Sequence, residues 1–321
     1  MSNKRIVVIG SSNTDMTIKG DKLPAPGETV AGGIFYMGPG GKGANQAVAA
    51  SRLGGDVTLV CKVGRDLFGD NAIKGYEREG IDISRILRSG EASGTALILV
   101  DANGENCISV ASGANGDFTE ADVDSVADVL RGADYVLLQL EIPIPSVLRA
   151  AKIAHEAGAV VLLNPAPATA LPEELFRYVD IFIPNETELS AFSGVQIEST
   201  DDAVRAAAAM AGKGVGRVIV TLGSKGSLIT DGTGGTFVPA KKVQAVDATA
   251  AGDTYCGALC VALSEGKSME DAARFATAAS AITVQRVGAQ NSIPHRSELE
   301  QQGEQPKSRQ HMIDSTIIAT A

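Results

Sequence analysis

The sequence predicts an α/β protein with a mostly parallel sheet that is covered by helices on both faces. Short apolar runs of strand length alternate with segments of helical periodicity through most of the chain, as in repeated β-α units. Runs of this kind are typical of parallel strands that are buried on both faces. Aromatic residues are few, at 4%, and the 36 glycines are many, which favours this class over a β-sandwich.

The predicted elements follow one another in a regular order. The strands of the main sheet are Arg5–Ile9, Val57–Val60, Tyr135–Leu138, Val160–Leu163, Ile181–Pro184 and Arg217–Thr221. The helices are Ala44–Leu53, Gly69–Glu79, Ser146–Ala157, Glu186–Phe192, Asp201–Lys213, Asp253–Leu263 and Ser268–Gln285. We expect one domain over residues 1–300 and a flexible tail over residues 301–321, which begin as a polar stretch.

One region departs from this alternation. Thr95–Val100 and Asn106–Ala111 are rich in β-forming residues and are joined through an Asn-Gly pair, a strong hairpin signal. With Thr29–Met37 they predict a small separate sheet, drawn from residues 13–40 and 93–114. Both faces of Thr95–Val100 are apolar, so both faces should be covered. An edge hairpin packed on the main sheet is the alternative.

The composition excludes several classes of protein. A net charge of −10 and an isoelectric point of 4.9 argue against a surface for nucleic acid or anionic membranes. No apolar run approaches the roughly 18 residues of a membrane helix. The four cysteines form no C-x-x-C pair and the three histidines no H-E-x-x-H pattern, so core thiols are favoured over a zinc site. A reduced, cytoplasmic location is the default.

The most informative segment is D-A-T-A-A-G-D-T-Y-C-G-A, residues 247–258. Ala250, Ala251 and Gly252 stand where an apolar helix begins, so unpaired N–H groups and the helix dipole can receive an anion. Asp253 lies in the same first turn. A carboxylate there suits a base that deprotonates a hydroxyl while the amides hold the accepting phosphate. The alternative is an ordinary helix start in which Asp253 only compensates the dipole.

A glycine-rich segment, G-P-G-G-K-G-A-N-Q, covers residues 38–46. It matches G-x-G-x-x-G, but it does not follow the first strand, and Cys61 and Lys62 stand where the acid of a dinucleotide fold is expected. A dinucleotide-dependent oxidoreductase is therefore a remote alternative. A phosphate-binding P-loop also fails, because Lys42 is followed by glycine. The bare backbone instead favours the approach of a polyol, with Lys42 and Asn45 bonding its hydroxyls.

Polar side chains follow the first strand. Asn13 and Asp15 lie just past its carboxyl end, where open α/β sheets bind ligands. A carboxylate there can accept two neighbouring hydroxyls at once. The alternative is a residue that stabilises a turn.

The two motifs at residues 38–46 and 247–258 closely resemble the signatures of the ribokinase-like (PfkB) carbohydrate kinases, in the order and spacing of that family. The resemblance extends from Lys4 to Glu300. It implies a three-layer α/β/α sandwich with a small β lid over the sugar site, often shared with a second subunit as a homodimer. It further implies ATP-dependent phosphorylation, here expected at the 5-hydroxyl of D-ribose, with Asp253 as the catalytic base. Alternatives are a kinase for 2-deoxyribose, fructose or a nucleoside, and a sugar-binding regulator without activity.

The resemblance also implies a set of site residues. The sugar contacts are Asn13, Thr14, Asp15, Gly41, Lys42, Gly43, Ala44, Asn45, Glu141 and Asp253. The residues for ATP and Mg²⁺ are Asn185, Glu188, Thr221, Leu222, Gly223, Ser224, Lys225, Gly226, Gly252 and Thr277. A K⁺ site, mostly of main-chain carbonyls, is implied at Asp247, Thr249, Thr283, Arg286, Gly288 and Ser292. The chain departs from the family at Ala248, usually Thr, and at Thr277, often an Asn near the adenine.

Overall fold

The computed structural model describes residues 4–303. Its strands are β1 Arg5–Ile9, β2 Asn13–Lys19, β3 Ile34–Gly40, β4 Asp56–Val60, β5 Lys62–Gly64, β6 Leu87–Ser89, β7 Gly94–Val100, β8 Asn106–Ala111, β9 Tyr135–Leu138, β10 Val160–Leu163, β11 Ile181–Phe182, β12 Arg217–Thr221, β13 Gly226–Thr230 and β14 Gly235–Pro239. Its helices are α1 Lys42–Arg52, α2 Leu67–Arg78, α3 Glu120–Ser125, α4 Ala127–Arg131, α5 Ile144–Glu156, α6 Glu173–Phe176, α7 Glu186–Ser193, α8 Thr200–Gly212, α9 Ala251–Ser264, α10 Met269–Thr283 and α11 Arg296–Gly303. None of these helices is long and apolar enough to cross a membrane.

The main sheet has eight strands in the order β14-β13-β12-β11-β10-β9-β1-β4. The six strands from β12 to β4 are parallel, and the last two, β13 and β14, are antiparallel additions. Because the parallel strands run the same way, their carboxyl ends meet at one edge. The predicted mostly parallel sheet is confirmed.

Both faces of this sheet are buried, which accounts for the continuous apolar runs. In β1, Ile6 and Val8 pack into a cluster with α1, α2, α9 and α10, while Val7 and Ile9 pack into a second cluster with α3 to α8. Successive side chains of a strand point to opposite faces, so one strand supplies both clusters. The three-layer α/β/α prediction is confirmed.

The predicted small sheet is also present, with strands in the order β3-β2-β7-β8. Residues 13–19 lie within the range predicted for the small sheet and form its strand β2, not the turn that was the alternative for Asn13 and Asp15. One detail of the prediction is wrong. The third segment begins at Ile34 rather than Thr29 and continues through the glycines to Gly40.

Smaller differences concern the ends of elements. The predicted strand Ile181–Pro184 is a regular strand only over Ile181–Phe182. The Ile183 N–H still donates to the Leu163 carbonyl at 2.8 Å, but Pro184 has no N–H to continue the pattern. The final helix extends to Gly303, so the first residues assigned to the tail are helical. Residues 304–321 lie outside the described part of the chain.

Candidate active site

Helix α9 begins at the carboxyl edge of the main sheet with an unusual backbone. Ala250 caps it in the left-handed region, with φ of 59°, and is the one non-glycine residue with positive φ within residues 4–303. Such a conformation costs about 1–3 kcal/mol and is concentrated at functional sites. It turns the chain so that the first amides of α9 point out of the helix.

Those amides are largely unpaired. The N–H groups of Gly252 and Asp253 have no acceptor among the described residues, whereas the Ala251 N–H donates to the Ala248 carbonyl at 3.2 Å. A Cβ added at Gly252 would meet nothing within 4 Å, so there is open space in front of this turn. The turn therefore offers an anion at least two free donors, reinforced by the helix dipole.

Asp253 is buried at 6% exposure beside this turn. Its Oδ2 accepts a hydrogen bond from Asn45 Nδ2 at 3.0 Å, and its Oδ1 accepts one from Gln46 Nε2 at 3.0 Å. The Oδ1 of Asn45 has no partner among the described residues. A buried acceptor without a donor is costly. A hydroxyl placed next to Asp253 would therefore gain by donating a hydrogen bond to Asn45 Oδ1.

The buried amides behind the Asp253 carboxylate were not among the residues predicted from the sequence. Gln46 also donates to Asn164 Oδ1 at 3.1 Å and accepts from Gln139 Nε2 at 2.6 Å. Gln46 and Gln139 are fully buried. The position of Gln139, a polar residue directly after a buried strand, was a signal that could have revealed it.

The predicted sugar contacts gather at the same edge. Glu141 accepts bonds through Oε2 from Ser11 Oγ at 2.5 Å and from the Lys42 N–H at 2.9 Å. These bonds tie the start of α1 to the ends of β1 and β9. A Cβ added at Gly43 would lie 2.6 Å from the backbone of Gly10, so only glycine permits this close approach.

Asp15 extends into the site from the small sheet. In the small sheet, Asp15 pairs with Gly38 of β3 and with Ala96 of β7. Because side chains alternate along a strand, Asn13 and Asp15 lie on the same side of this sheet. Thr14 alternates to the other side, so its side chain cannot share the face used by Asp15. The Ala44 N–H donates to the Ser11 carbonyl at 2.9 Å, so Ala44, a predicted sugar contact, also has a structural role.

The back of the small sheet borders a cavity of about 520 Å³. Thr14, Met37 and Pro39 line it on one side, and Tyr76 of α2 and Gln290 on the other. Asn13, one of the predicted sugar contacts, also lines this cavity, whereas Asp15 and Asp253 do not.

Charges in the site are strongly coupled. Burial, with Glu141 and Asp253 nearby, raises the pKa of Asp15 to about 6. Burial alone would lower the pKa of Lys42, but Asp253, Glu141 and Glu188 outweigh it and raise that pKa, so Lys42 stays charged. Burial also raises the pKa of Glu188, against the hydrogen bond from Asn185 and the charge of Lys42. One ammonium thus stands among several carboxylates.

Asn185 and Glu188 cap helix α7. Asn185 Oδ1 accepts from the Glu188 N–H at 2.7 Å, and Glu188 Oε2 accepts from the Asn185 N–H at 2.9 Å. This capping box is a sufficient structural reason for both residues. The electrostatic effect of Lys42 and Asp253 on Glu188 nevertheless shows that this carboxyl group faces the site.

The predicted nucleotide loop lies beside this cap. The Thr221 N–H donates to the Pro184 carbonyl at 2.9 Å, which joins the ends of β11 and β12. Gly223 and Gly226 have φ of 55° and 125°, as a tight turn requires. Lys225 is exposed, with its Nζ 3.3 Å from Glu186 Oε1. Thr277, on α10, is buried, and its hydroxyl has no partner among the described residues.

The two segments of the predicted cation site are joined through Asp247. Its Oδ1 accepts from the Thr249 N–H at 2.9 Å, and its Oδ2 accepts from the Gly288 N–H at 2.9 Å. Burial would raise the pKa of Asp247, but the bonds from Thr249 and Gly288 lower it, so the carboxylate is ionised.

The other predicted cation ligands carry internal bonds. The Thr283 hydroxyl donates to Thr254 Oγ1 at 3.0 Å, and the Thr283 carbonyl accepts from the Arg286 N–H at 3.0 Å. The Arg286 guanidinium pairs with Glu298, and Ser292 Oγ donates to the Ala289 carbonyl at 2.7 Å. Only main-chain oxygens of this loop are therefore suited to face a cation.

Comparisons with known proteins agree with this geometry. The family model described as pfkB family carbohydrate kinase matches residues 3–296. A ribokinase from Haemophilus influenzae is 43% identical over 92% of this chain and 97% of its own length. A bifunctional ribokinase/ribose-5-phosphate isomerase A from Fructilactobacillus sanfranciscensis is 40% identical over 91% of this chain, which spans 55% of that longer protein.

Solved structures give the same result. A ribokinase of Arabidopsis thaliana complexed with ribose and ATP superposes with a TM-score of 0.89 and 34% identity, covering 95% of this chain and all of that one. The chain belongs to the PfkB family of carbohydrate kinases.

Proposed function

We propose that this kinase transfers the γ-phosphoryl group of ATP to the 5-hydroxyl of D-ribose, with Asp253 as general base. Phosphoryl transfer is inferred from one observation, the buried Asp253 carboxylate beside amides at the start of α9 that have no acceptor among the described residues. Support for ribose comes from the relatives and the ribose complex described above.

In this reaction Asp253 takes the proton of the attacking hydroxyl as its oxygen approaches the γ-phosphorus. Negative charge on the transferring oxygens is met by the amides at Ala250, Ala251 and Gly252, of which those of Ala250 and Gly252 have no acceptor within residues 4–303. The protein takes little part in covalent chemistry during such a transfer. The positioning of reactants and charges around Asp253 therefore supplies most of the rate enhancement.

The sugar lies between Asp15 and Asp253. Asp15 accepts two neighbouring hydroxyls, and Asn45 uses its unpartnered Oδ1 to accept another. Lys42 and Glu141 complete the polar lining, and Asn13 contributes from the same side of the small sheet as Asp15.

Mg²⁺ fits the acidic composition of the site. Glu188, whose pKa is raised by burial, and Asn185 present oxygens beside the nucleotide loop, and Mg²⁺ retains several waters in such sparse sites. The ion would supply charge neutralisation of the ATP phosphates. Residues 221–226 would hold those phosphates through backbone amides and Lys225, and Thr277 with its unpartnered hydroxyl would line the adenine side.

A K⁺ ion fits the loop around Asp247. The pKa of this carboxylate is lowered, so it is ionised, and its bond from the Gly288 N–H joins it to the loop between Thr283 and Ser292, which would supply main-chain carbonyl oxygens. Bound there, K⁺ would neutralise Asp247 and supply a fixed charge behind the first turn of α9, without contact to substrate.

The small sheet is proposed to act as a lid and as the contact of a homodimer. Its outer side, opposite Asp15, exposes Ile18, Phe35, Met37 and Leu97 by 45–57%. Apolar patches of this kind mark interaction sites, and a second copy of the sheet would cover them. The lid would exclude water from the phosphoryl group.

We also infer a cytoplasmic setting and no nucleic-acid partner. All four cysteines are free thiols, of which Cys61, Cys256 and Cys260 are buried, as suits a reduced compartment. The net charge of −10 disfavours a polyanionic partner.

The test is consumption of ATP by the purified full chain across a panel of pentoses, hexoses and nucleosides. We expect D-ribose to give the highest kcat/KM and the product to be phosphorylated at carbon 5. Preference for 2-deoxyribose, fructose or a nucleoside would contradict the substrate assignment and leave the family assignment intact.

A further inference from the structure

Gln46 lies at the centre of a buried chain of amides that ends on the proposed base. It is fully buried and makes three hydrogen bonds, to Asp253, Asn164 and Gln139. Two of these partners, Asn164 and Gln139, belong to the ends of other strands. The chain therefore connects the base to the rigid edge of the main sheet.

The direction of every bond in this chain is determined. Asn164 Nδ2 donates to the Ile183 carbonyl at 2.9 Å, so its Oδ1 must face Gln46. Gln139 Nε2 donates to Gln46 Oε1 at 2.6 Å, so the oxygen of Gln46 points to Gln139. The two N–H groups of Gln46 are left for Asn164 Oδ1 and Asp253 Oδ1.

The arrangement carries a cost to stability. Gln139 Oε1 is buried without a partner among the described residues. A Cβ added at Gly10 would lie 2.0 Å from this oxygen, so the site tolerates only glycine there. A network with an unpaired polar atom is poorly explained as a stabilising feature.

We propose that Gln46 is a positioning residue, which holds Oδ1 of Asp253 so that the carboxylate keeps one orientation toward the attacking hydroxyl. Gln139 and Asn164 act one step further back, because they prevent the amide of Gln46 from turning its oxygen toward the base. This inference rests on the proposed role of Asp253 as base. It assigns a role to residues beyond those that touch sugar or nucleotide.

A double-mutant cycle between Gln46→Glu and Asp253→Asn tests the proposal in the full chain. Gln46→Glu keeps the shape but presents an acceptor to Asp253, so we expect kcat to fall about thirtyfold, with KM for ribose and ATP changed less than about threefold. In the Asp253→Asn background the same substitution should change kcat less than about threefold, because the group through which it acts is gone.

Gln139→Met provides a second route if Gln46→Glu does not fold. It removes the donor that fixes the Gln46 amide, so kcat should fall about fivefold at unchanged KM, again only when Asp253 is present. Tyr255→Phe is the matched control. Tyr255 is buried on α9 and donates from its hydroxyl to Ser227 Oγ at 2.8 Å, so its loss should lower Tm and leave kcat within about twofold.

The outcomes distinguish a failure of the positioning role of Gln46 from a failure of the role of Asp253 as base. Equal fold losses from Gln46→Glu in both backgrounds, or a rise in KM that accounts for the loss of kcat/KM, would overturn the positioning role. Near-native turnover of Asp253→Asn alone would instead overturn the assignment of the base.

Discussion

The two sides of the site differ in how completely the chain has built them. Below the sugar position lies a floor of side chains with 0–8% exposure, which consists of Asn45, Gln46, Gln139, Asn164 and Asp253. Above it, the small sheet leaves Leu97, Ile108 and Val110 exposed by 53–56%. The floor is bonded to several strand ends, whereas the small sheet pairs mainly with itself.

This difference separates chemistry from enclosure. The floor holds Asp253, the proposed base, in a fixed geometry before any ligand arrives, which is the condition for efficient electrostatic catalysis. The small sheet exposes apolar surface that is costly in water until something covers it. Substitutions in the floor should therefore lower kcat, and substitutions in the small sheet should alter assembly and sugar binding.

The largest expected effect is on the floor. Asp253→Asn keeps the shape but removes the proton acceptor, so kcat should fall by about a hundredfold or more, while the dissociation constants for ribose and ATP remain within about threefold. Steady-state kinetics and isothermal titration measure the two quantities. Turnover close to that of the native protein would remove Asp253 from the role of base.

The second prediction concerns the outer face of the small sheet. Leu97→Lys places a charge where the second subunit is proposed to pack, which should raise the dimer dissociation constant by about a hundredfold or more, since an unpaired buried charge costs about 3–5 kcal/mol. Analytical ultracentrifugation at micromolar concentration should show monomers.

Leu67→Lys is the control for this experiment. Leu67 is 70% exposed at the start of α2, outside the small sheet, so its substitution should leave the dimer intact. A native protein that is monomeric and fully active at micromolar concentration would contradict the dimer proposal.

The third prediction addresses the sugar between floor and lid. Asp15 and its polar neighbours are proposed to bind the sugar hydroxyls, and a missing hydroxyl would leave buried polar groups unpaired at about 1–3 kcal/mol each. Ribose should therefore exceed 2-deoxyribose by about ten- to a hundredfold in kcat/KM. Equal values for the two sugars would show that Asp15 does not bind the 2-hydroxyl.

The sequence sufficed for the six parallel strands of the main sheet because strands buried on both faces are continuous apolar runs, whereas the antiparallel strands β13 and β14 were not predicted. Val160–Leu163 is such a run, and its predicted bounds are those observed. Asn13–Lys19 was missed as a strand since it mixes polar and apolar residues. Pairing with β3 and β7, a tertiary effect, determines its structure.

The site shows the same limit. Charged residues in distinctive motifs, such as Asp253 and Lys42, were predicted as site residues from the chain alone. Gln46 and Gln139 were not, because neutral amides have no recognisable charge pattern and their significance depends on contacts between distant segments. Only the folded arrangement brings Gln46 to Asp253.

The fourth prediction is a pH dependence of sugar capture. The pKa of Asp15 is raised from 3.8 to about 6, so this carboxyl becomes protonated in the free enzyme as the pH falls through that value. A protonated acid cannot accept two hydroxyls, so kcat/KM for ribose should be about tenfold lower at pH 5 than at pH 7. Asp15→Asn should lose this acid limb and raise KM for ribose far more than for ATP.

The same shift affects stability with a defined sign. Between pH 3.8 and about 6 the unfolded chain has released the Asp15 proton and the folded chain still holds it, so stability falls as the pH rises through this window. Chemical denaturation of the native protein and of Asp15→Asn at pH 4 and pH 7 measures this. If kcat/KM for ribose still fell at low pH in Asp15→Asn, the titrating group would be a residue other than Asp15.

The smallest expected effect is that of the monovalent cation, which acts behind the floor. Replacing K⁺ by Na⁺ should lower kcat about fivefold, the low end of typical coupling between two sites, and Asp247→Ala should abolish the difference. Asp231→Ala is the matched control, because Asp231 Oδ1 also accepts from the N–H of the threonine two residues later, Thr233, at 3.0 Å. Its K⁺ response should equal that of the native protein. Equal rates of the native protein in K⁺ and Na⁺ would show that the floor holds its geometry without a cation.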